Sequence, residues 1–208
     1  MIISVINQKG GVGKSTALIN LAAALRESGH KVAVIDTDDQ ETAYGYRAAV
    51  KGVKFSLATL VNLAEVLGKQ KADFVLVDSP RSLNDDEAAI ILKLVDLAII
   101  ATENEIDSYV ALLRTVQVAK QIQADGRPDL QYRVLLSKNS GADHRKEIRA
   151  DIKNNCGPQM LKAALPNSTV FGRAAFHGET VLDHAPDSTA AKACRKLAVE
   201  VEKMKNGA

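Results

Sequence analysis

Near the start of this 208-residue chain, Lys9-Gly10-Gly11-Val12-Gly13-Lys14-Ser15-Thr16 sets two lysines and three glycines between an apolar run and a helix-like run. Glycine-rich backbone at such a junction can turn its N–H groups inward around phosphate oxygens, and the start of the following helix adds unpaired donors and a favourable dipole. Lys14 is then placed to reach the β- and γ-phosphates, and the Ser15 hydroxyl to ligate Mg²⁺. The bland alternative is a glycine-rich turn with solvated lysines, and the strand before and helix after weigh against it. Two departures from the ordinary phosphate loop stand out. Gln8 occupies the place where a glycine is usual, and a second lysine, Lys9, follows it.

The cradle needs a strand before it and a helix behind it. Residues 2–6 are apolar throughout apart from Ser4, and from Ser15 to Arg26 the residues Leu18, Leu21, Ala22 and Leu25 recur at helical spacing. Further strand-like runs fall at 31–35, 74–77, 94–101 and 132–136, with helical stretches expected at 57–67, 107–123 and 143–153. Such alternation predicts an α/β fold, a mainly parallel twisted sheet with helices on both faces. The runs at 32–35 and 74–77 are apolar without alternation, as for strands covered on both sides. The last third is less regular, with a short strand expected at 160–165 and a terminal helix at 188–205, Ser188 at its N-cap. Without repeats or linkers, one domain over residues 1–208 is the simplest account, and no DNA-reading domain is expected ahead of its first strand.

Two of these strands end in aspartate, and ligands of open α/β sheets collect at the carboxyl ends of strands. Asp36 and Asp38, two residues apart, share a face if the extended conformation continues. An aspartate at the Asp36 position holds a ribose or simply caps a helix. Asp78 closes the other strand, followed by Ser79-Pro80-Arg81, where Arg81 can pair with phosphate, contact a partner subunit or stay solvated.

Lys-Gly-Gly-Val-Gly-Lys-Ser-Thr with its extra lysine resembles the deviant Walker A box of the ParA/MinD family of ATPases. The resemblance runs from the first strand to nearly the chain end, through Leu165-Pro166, the 171–178 segment and Ala185-Pro186. It implies a P-loop NTPase fold, with ATP and Mg²⁺ as ligands and residues 9–16 as the phosphate seat. Lys9 is then expected to reach across a dimer interface to the nucleotide of the other subunit, so that ATP binding drives homodimer formation. The family segment Asp-x-Asp-Pro-Gln is matched by Asp36-Thr37-Asp38-Asp39-Gln40, with Asp39 in place of proline; it implies that Asp38 positions the attacking water and the outer shell of Mg²⁺. Asp78 matches the Walker B position, holding Mg²⁺ through water. On this footing Lys9, Lys14 and Asp38 are the catalytic set, in a slow, partner-stimulated ATPase. Asn139 follows the 133–136 strand where relatives place an adenine contact, although a turn role suits it equally in Asn139-Ser140-Gly141.

Composition bounds the rest. A hydrophobic share of 46%, a charged share of 25% and a net charge of +2 describe an ordinary globular chain, so any basic surface must be local. Cys156 and Cys194 form no metal-ligand spacing, and a reduced cytosolic compartment fits them best. His30, His144, His177 and His184 are scattered without partners in sequence. Lys192, Arg195 and Lys196 fall at i, i+3 and i+4 on one helix face and, with Arg173, are candidate contacts for nonspecific double-stranded DNA; a solvated helix face is the competing reading. The Leu197, Val201 and Met204 stripe lacks an aromatic and is expected to pack on the domain, so no stable membrane association is expected. Glu103, Glu105 and Asp107 are either an adaptor or interface contact or a solvated loop. The family likeness implies a cytoplasmic, nucleoid-associated positioning ATPase whose DNA-bound dimer is released by a ParB-like or small DNA-binding adaptor, distributing plasmid, chromosome or other cargo. The alternatives are a MinD-like membrane-associated ATPase and a small-molecule ATP-dependent ligase.

Overall fold

The computed structural model describes residues 1–46, 50–139 and 146–207. Its strands are β1 (Ile2–Ile6), β2 (Val32–Asp36), β3 (Lys54–Leu57), β4 (Phe74–Asp78), β5 (Leu97–Thr102), β6 (Gln131–Asn139) and β7 (Met160–Pro166). They form one sheet in the order β3-β2-β4-β1-β5-β6-β7, with every pairing parallel. The described helices are α1 (Lys14–Glu27), α2 (Thr42–Gly45), α3 (Leu63–Gly68), α4 (Asp85–Leu92), α5 (Ile106–Ala124), α6 (Lys146–Cys156), α7 (Thr169–Phe176), α8 (Val181–His184) and α9 (Thr189–Lys205).

The strand pleat sorts the core into two layers. Ile3, Val5, Val34, Phe74, Leu76 and Ile99 meet Leu18, Leu21 and Leu25 of α1 and Cys194, Leu197 and Val201 of α9. Their neighbours Ile6, Ile35, Val75, Val77, Ala98 and Ile100 point the other way, against Leu63 of α3, Ile91 of α4, Leu112 and Val116 of α5 and Ile152 of α6. Burial on both faces is why β2 and β4 read as unbroken apolar runs. Helices therefore cover both faces, as the alternation of apolar runs predicts.

Two local differences have physical reasons. The helix expected at 57–67 is instead the end of an edge strand, a turn and the short α3. Leu57 is the last residue of β3, opposite Asp36, and a turn in which Asn62 accepts from the Thr59 N–H leads into α3. The strand expected from residue 94 begins at Leu97, because Leu94 closes a turn on Ile91 and the Asp96 carboxylate accepts from the Ile2 N–H at 2.7 Å. Of the helix expected at 143–153, residues 143–145 lie outside the described residues, and the rest belongs to α6. Helix α4 has no counterpart among the expected elements, although Asn84 and Glu87 form a capping box around its first turn. At the far end Ser188 caps α9, accepting from the Ala191 N–H, as expected. The edge strand β7 is covered by the Glu200 carboxylate of α9, which accepts from the Lys162 and Ala163 N–H groups at 2.8 and 2.6 Å.

Candidate functional site

Register brings the chemistry together. Val5 of β1 and Asp36 of β2 both lie opposite Asp78 of β4, so the start of the glycine loop and both strand-end carboxylates share one edge of the sheet. β1 lies between β4 and β5, next to the crossover where parallel α/β sheets open a crevice.

Residues 7–13 wrap from β1 to α1 without a side-chain cap on that helix. Gly13, at φ 84° and ψ 23°, holds the left-handed turn into α1, a conformation that L side chains rarely adopt. Gly10 is required for a different reason, since a Cβ there would lie 3.0 Å from Cγ and 3.3 Å from the carbonyl oxygen of Arg81. The loop is braced from beneath and from the side. Asn7 donates to the Ala101 carbonyl at 2.7 Å and accepts from the Lys9 N–H at 2.8 Å. From the end of β6, the Ser137 hydroxyl donates to the Val12 carbonyl at 2.6 Å. The Lys138 ammonium donates to the Gly11 carbonyl at 2.6 Å and pairs with buried Glu103 at 2.7 Å. These partners occupy the Gly11 and Val12 carbonyls, so the loop amides beyond Lys9, whose N–H is taken by Asn7, are left for a ligand.

Lys14 is buried and donates to the carbonyls of Lys9 and Arg81 at 3.1 and 2.8 Å. Burial pulls its ammonium down to about 8, while the carboxylates of Asp78 and then Asp38 oppose that fall. Asp78 is 0% exposed, and among the described residues neither carboxylate oxygen has a partner in hydrogen-bond geometry. Burial pushes its carboxyl up to about 8; the Ser15 hydroxyl pulls the other way, Asp36 adds to the rise, and Lys14 opposes it. An orphaned buried carboxylate beside a hydroxyl fits a hydrated divalent cation: Ser15 would ligate Mg²⁺ directly and Asp78 through its water shell. Such an ion would neutralise charge developing on a phosphoryl group. Among the described residues no group of three or more His, Cys, Asp and Glu side chains is arranged to hold a metal by itself.

The two candidate switch aspartates separate cleanly. Asp36 is buried and spends its oxygens on the Asp38 and Tyr44 N–H groups at 2.9 and 2.8 Å, so its role is to fix the chain after β2, the cap-like reading rather than ribose binding. Asp38 is half-buried, and its carboxylate accepts from the Gln40 N–H at 3.1 Å and lines a cavity of about 510 Å³ with Thr37, Arg81 and Glu87. On the other side of the loop, Gly13, Thr16, Ser137, Lys138, Pro166 and Phe171 line a second cavity of about 220 Å³. Asn139 is not among its walls; its side chain accepts from Asn104 and its carbonyl from Asn167. Lys9 turns away from the loop, its ammonium donating to Ser108 Oγ at 3.1 Å and lying 4.0 Å from Glu105 at the start of α5.

The basic candidates near the chain end are less uniform. Arg173 and Lys192 are exposed. Arg195 forms a forked pair with Glu27 at 2.7 and 2.9 Å and also donates to the Pro186 carbonyl, and Lys196 donates to the Lys162 carbonyl. The α9 stripe is consumed by the core, with Leu197 and Val201 at 0% exposure and Met204 packed on the same cluster. No described helix is long and apolar enough to cross a membrane. His30 pairs with Glu202, and His184 pairs with Glu179 and stacks on His177; His144 lies outside the described residues. Sequence reasoning missed the Asn7, Ser137 and Lys138 braces and the second cavity, because Ser137 and Lys138 meet the loop across 125 and 127 residues of chain.

A parallel sheet that delivers a glycine loop, a helix N-terminus, a buried lysine and a buried aspartate to one edge defines a P-loop nucleotide-binding protein. A family model described as the CobQ/CobB/MinD/ParA nucleotide binding domain matches residues 3–181. The chain belongs to that family. It is similar to the chromosome-partitioning ATPase Soj of Thermus thermophilus, 29% identical over a gapped match of 237 positions that covers 96% of this chain and 94% of that protein. It is also similar to the maintenance of carboxysome distribution protein A of Gloeobacter kilaueensis, 32% identical over 189 residues, 87% of this chain and 83% of that one. Among solved structures, the septum site-determining protein MinD of Pyrococcus horikoshii, complexed with Mg-ADP, matches with a TM-score of 0.77 over 98% of this chain and 96% of that one; at 24% identity it bears on the fold alone.

Proposed function

We propose that this chain, as a single domain over residues 1–208, is a positioning ATPase of the partition type. ATP and Mg²⁺ occupy residues 9–16, Ser15 and the water shell of Asp78, while Asp38 orients the attacking water. The observation that carries the dimer switch is the pose of Lys9, whose ammonium leaves its own cradle and turns to Ser108 and Glu105 while Lys14 stays within it. A lysine held beside the loop but outside it is available to a second subunit's nucleotide, and hydrolysis then waits for dimer formation. The ATP dimer binds nucleoid DNA nonspecifically through Arg173 and Lys192, joined by Lys196 and Arg195 once their internal contacts yield. A ParB-like or small DNA-binding adaptor stimulates hydrolysis and releases it, so that cargo is distributed in the cytoplasm along the nucleoid. The naming of the Thermus relative as chromosome-partitioning and of the Gloeobacter relative as a carboxysome distribution protein supports a cargo-positioning role. The burial of the α9 stripe argues against a membrane-anchored reading.

Co-sedimentation with double-stranded DNA under ATP, ADP and no nucleotide, across a salt series, tests this directly. Pelleting with ATP and Mg²⁺ alone, lost as salt rises, is expected. Equal pelleting with ADP and ATP, or binding to anionic vesicles instead of DNA, would overturn it.

A further inference from the structure

The residue after Ser79-Pro80 is a cation at the loop to which no task has yet fallen. Arg81 is exposed, and its Cγ and Nε lie 3.0 and 3.4 Å from where a Cβ on Gly10 would stand. Its carbonyl accepts from Lys14 at 2.8 Å, so its backbone is fixed to the phosphate-binding lysine. Its guanidinium makes no hydrogen bond or ion pair with any described residue, whereas Arg127 is taken up by Asp129 and Arg195 by Glu27. The nearness of that charge also helps depress Lys14, after burial. Cations crowd the loop here, and a polyanion would relieve them.

The two cavities beside the loop give a ligand a direction. The smaller one, at Gly13, Thr16, Ser137 and Phe171, has the apolar walls a base needs. The larger one lies past the loop, at Thr37, Asp38 and Arg81. A nucleotide threaded from the first cavity along the loop amides presents its terminal phosphate to the second. We propose that Arg81 is a catalytic residue supplied by the same chain, gripping the γ-phosphate of the ATP bound in its own loop. This rests on the ATPase reading above. In the hydrolytic step, the water oxygen bonds to the γ-phosphorus as the bond to the β–γ bridging oxygen breaks. That electron pair leaves with ADP, and the water proton passes to solvent. The guanidinium fork matches the charge spread over the equatorial oxygens of that transition state, and the backbone that carries it is held at the loop by Lys14 of the same chain.

The test is titration of fluorescent ATP and ADP analogues into wild type, Arg81→Ala, Arg81→Gln and Arg81→Lys at concentrations where light scattering shows monomers, with steady-state phosphate release measured separately at concentrations where ATP forms dimers. Arg81→Gln keeps the stem and the carbonyl that holds Lys14, and circular dichroism confirms its fold. For Arg81→Ala and Arg81→Gln, ATP affinity is expected to fall about 10-fold or more with ADP affinity within about threefold, and turnover to fall about 100-fold or more. Arg81→Lys falls between, since a point charge replaces the fork. An ATP-to-ADP affinity ratio and turnover within about twofold of wild type would overturn the proposal. Equal losses for ATP and ADP would overturn it by making Arg81 a brace of the loop. Unchanged monomer affinity with lost turnover would overturn the same-chain assignment. Wild type that binds neither nucleotide would instead remove the ATPase reading, and the proposal with it.

Discussion

The Asp78 carboxylate has 0% exposure, no described partner in hydrogen-bond geometry and Asp36 as its neighbour across the sheet, and burial pushes its carboxyl from an ordinary 3.8 up to about 8. Because the folded value is raised, the folded protein holds a proton that the unfolded chain has already released. The stability of the nucleotide-free protein is therefore expected to fall as pH rises from about 4 towards 8, with the cost fully present above that. Lys14, lowered to about 8, works in the opposite sense and only above that pH, since there the unfolded chain keeps the proton longer. Asp78→Asn keeps the shape and removes the charge. It is expected to stabilise the nucleotide-free protein by about 1–3 kcal/mol in urea unfolding at pH 7.5 and to flatten the pH dependence below 8. The same change should weaken the Mg²⁺ dependence of nucleotide binding, because the water shell loses its anionic acceptor and keeps only a neutral amide oxygen. An unchanged or lowered stability for Asp78→Asn would mean that the carboxylate is satisfied without nucleotide.

The loop itself is held by strand ends, chiefly by Ser137 and Lys138 where β6 finishes. Lys138 takes a left-handed φ of 45° there, and its ammonium joins the Gly11 carbonyl to Glu103, whose side chain is 9% exposed. Removing the ammonium leaves a buried carboxylate without its cation. Lys138→Met is expected to cost about 1–3 kcal/mol in urea unfolding and to weaken ATP and ADP alike, while Lys138→Met with Glu103→Gln should recover most of the stability but not the affinity. Full additivity of the two changes would show that the pair is not coupled. None of this was legible in the sequence, because the contacts join residues such as Gly11 and Lys138 that lie 127 apart, and Lys138 has no periodic or motif signature. What was legible was local: the cradle, the Asp78 strand end and the unbroken apolar strands all follow from neighbours a few residues apart. The edge strand β3 was not, since Lys54–Leu57 is half-exposed with no apolar run to mark it, and Leu57 fits a helical spacing with the residues that follow. Helix α4 was readable from Asn84 and Glu87, but Asp85 and Asp86 between them resemble a solvated loop until the capping box is recognised. Arg81 was visible as an odd residue, and only the fold shows that it lies against Gly10.

At the scale of the whole molecule, a net charge of +2 gives little general attraction to DNA, so affinity depends on which cations are free at the surface. Arg195 and Glu27 tie α9 to α1 through a forked pair whose side chains are 36% and 48% exposed, and the pair holds Glu27's carboxyl below its ordinary range. At that exposure an ion pair contributes no more than about 1 kcal/mol to stability, and salt weakens it further. The proposed DNA face thus carries a built-in competitor: for Arg195 to meet a phosphate it must first leave a carboxylate in its own subunit. Glu27→Gln removes the competitor and leaves Arg195 in place. Its thermal midpoint should stay within a few degrees of wild type, about what 1 kcal/mol allows for a chain of this size. In the presence of ATP it should hold DNA to higher salt, with the slope of log affinity against log salt steeper by about one for each additional phosphate that a subunit neutralises. Arg195→Ala in the wild-type background should then weaken DNA binding less than Lys192→Ala, because Arg195 alone of the two must abandon the Glu27 carboxylate, whereas in the Glu27→Gln background the two losses should become similar. If Glu27→Gln leaves the salt slope untouched while Lys192→Ala lowers it, Arg195 belongs to the α1–α9 contact alone and the DNA face ends at Lys192.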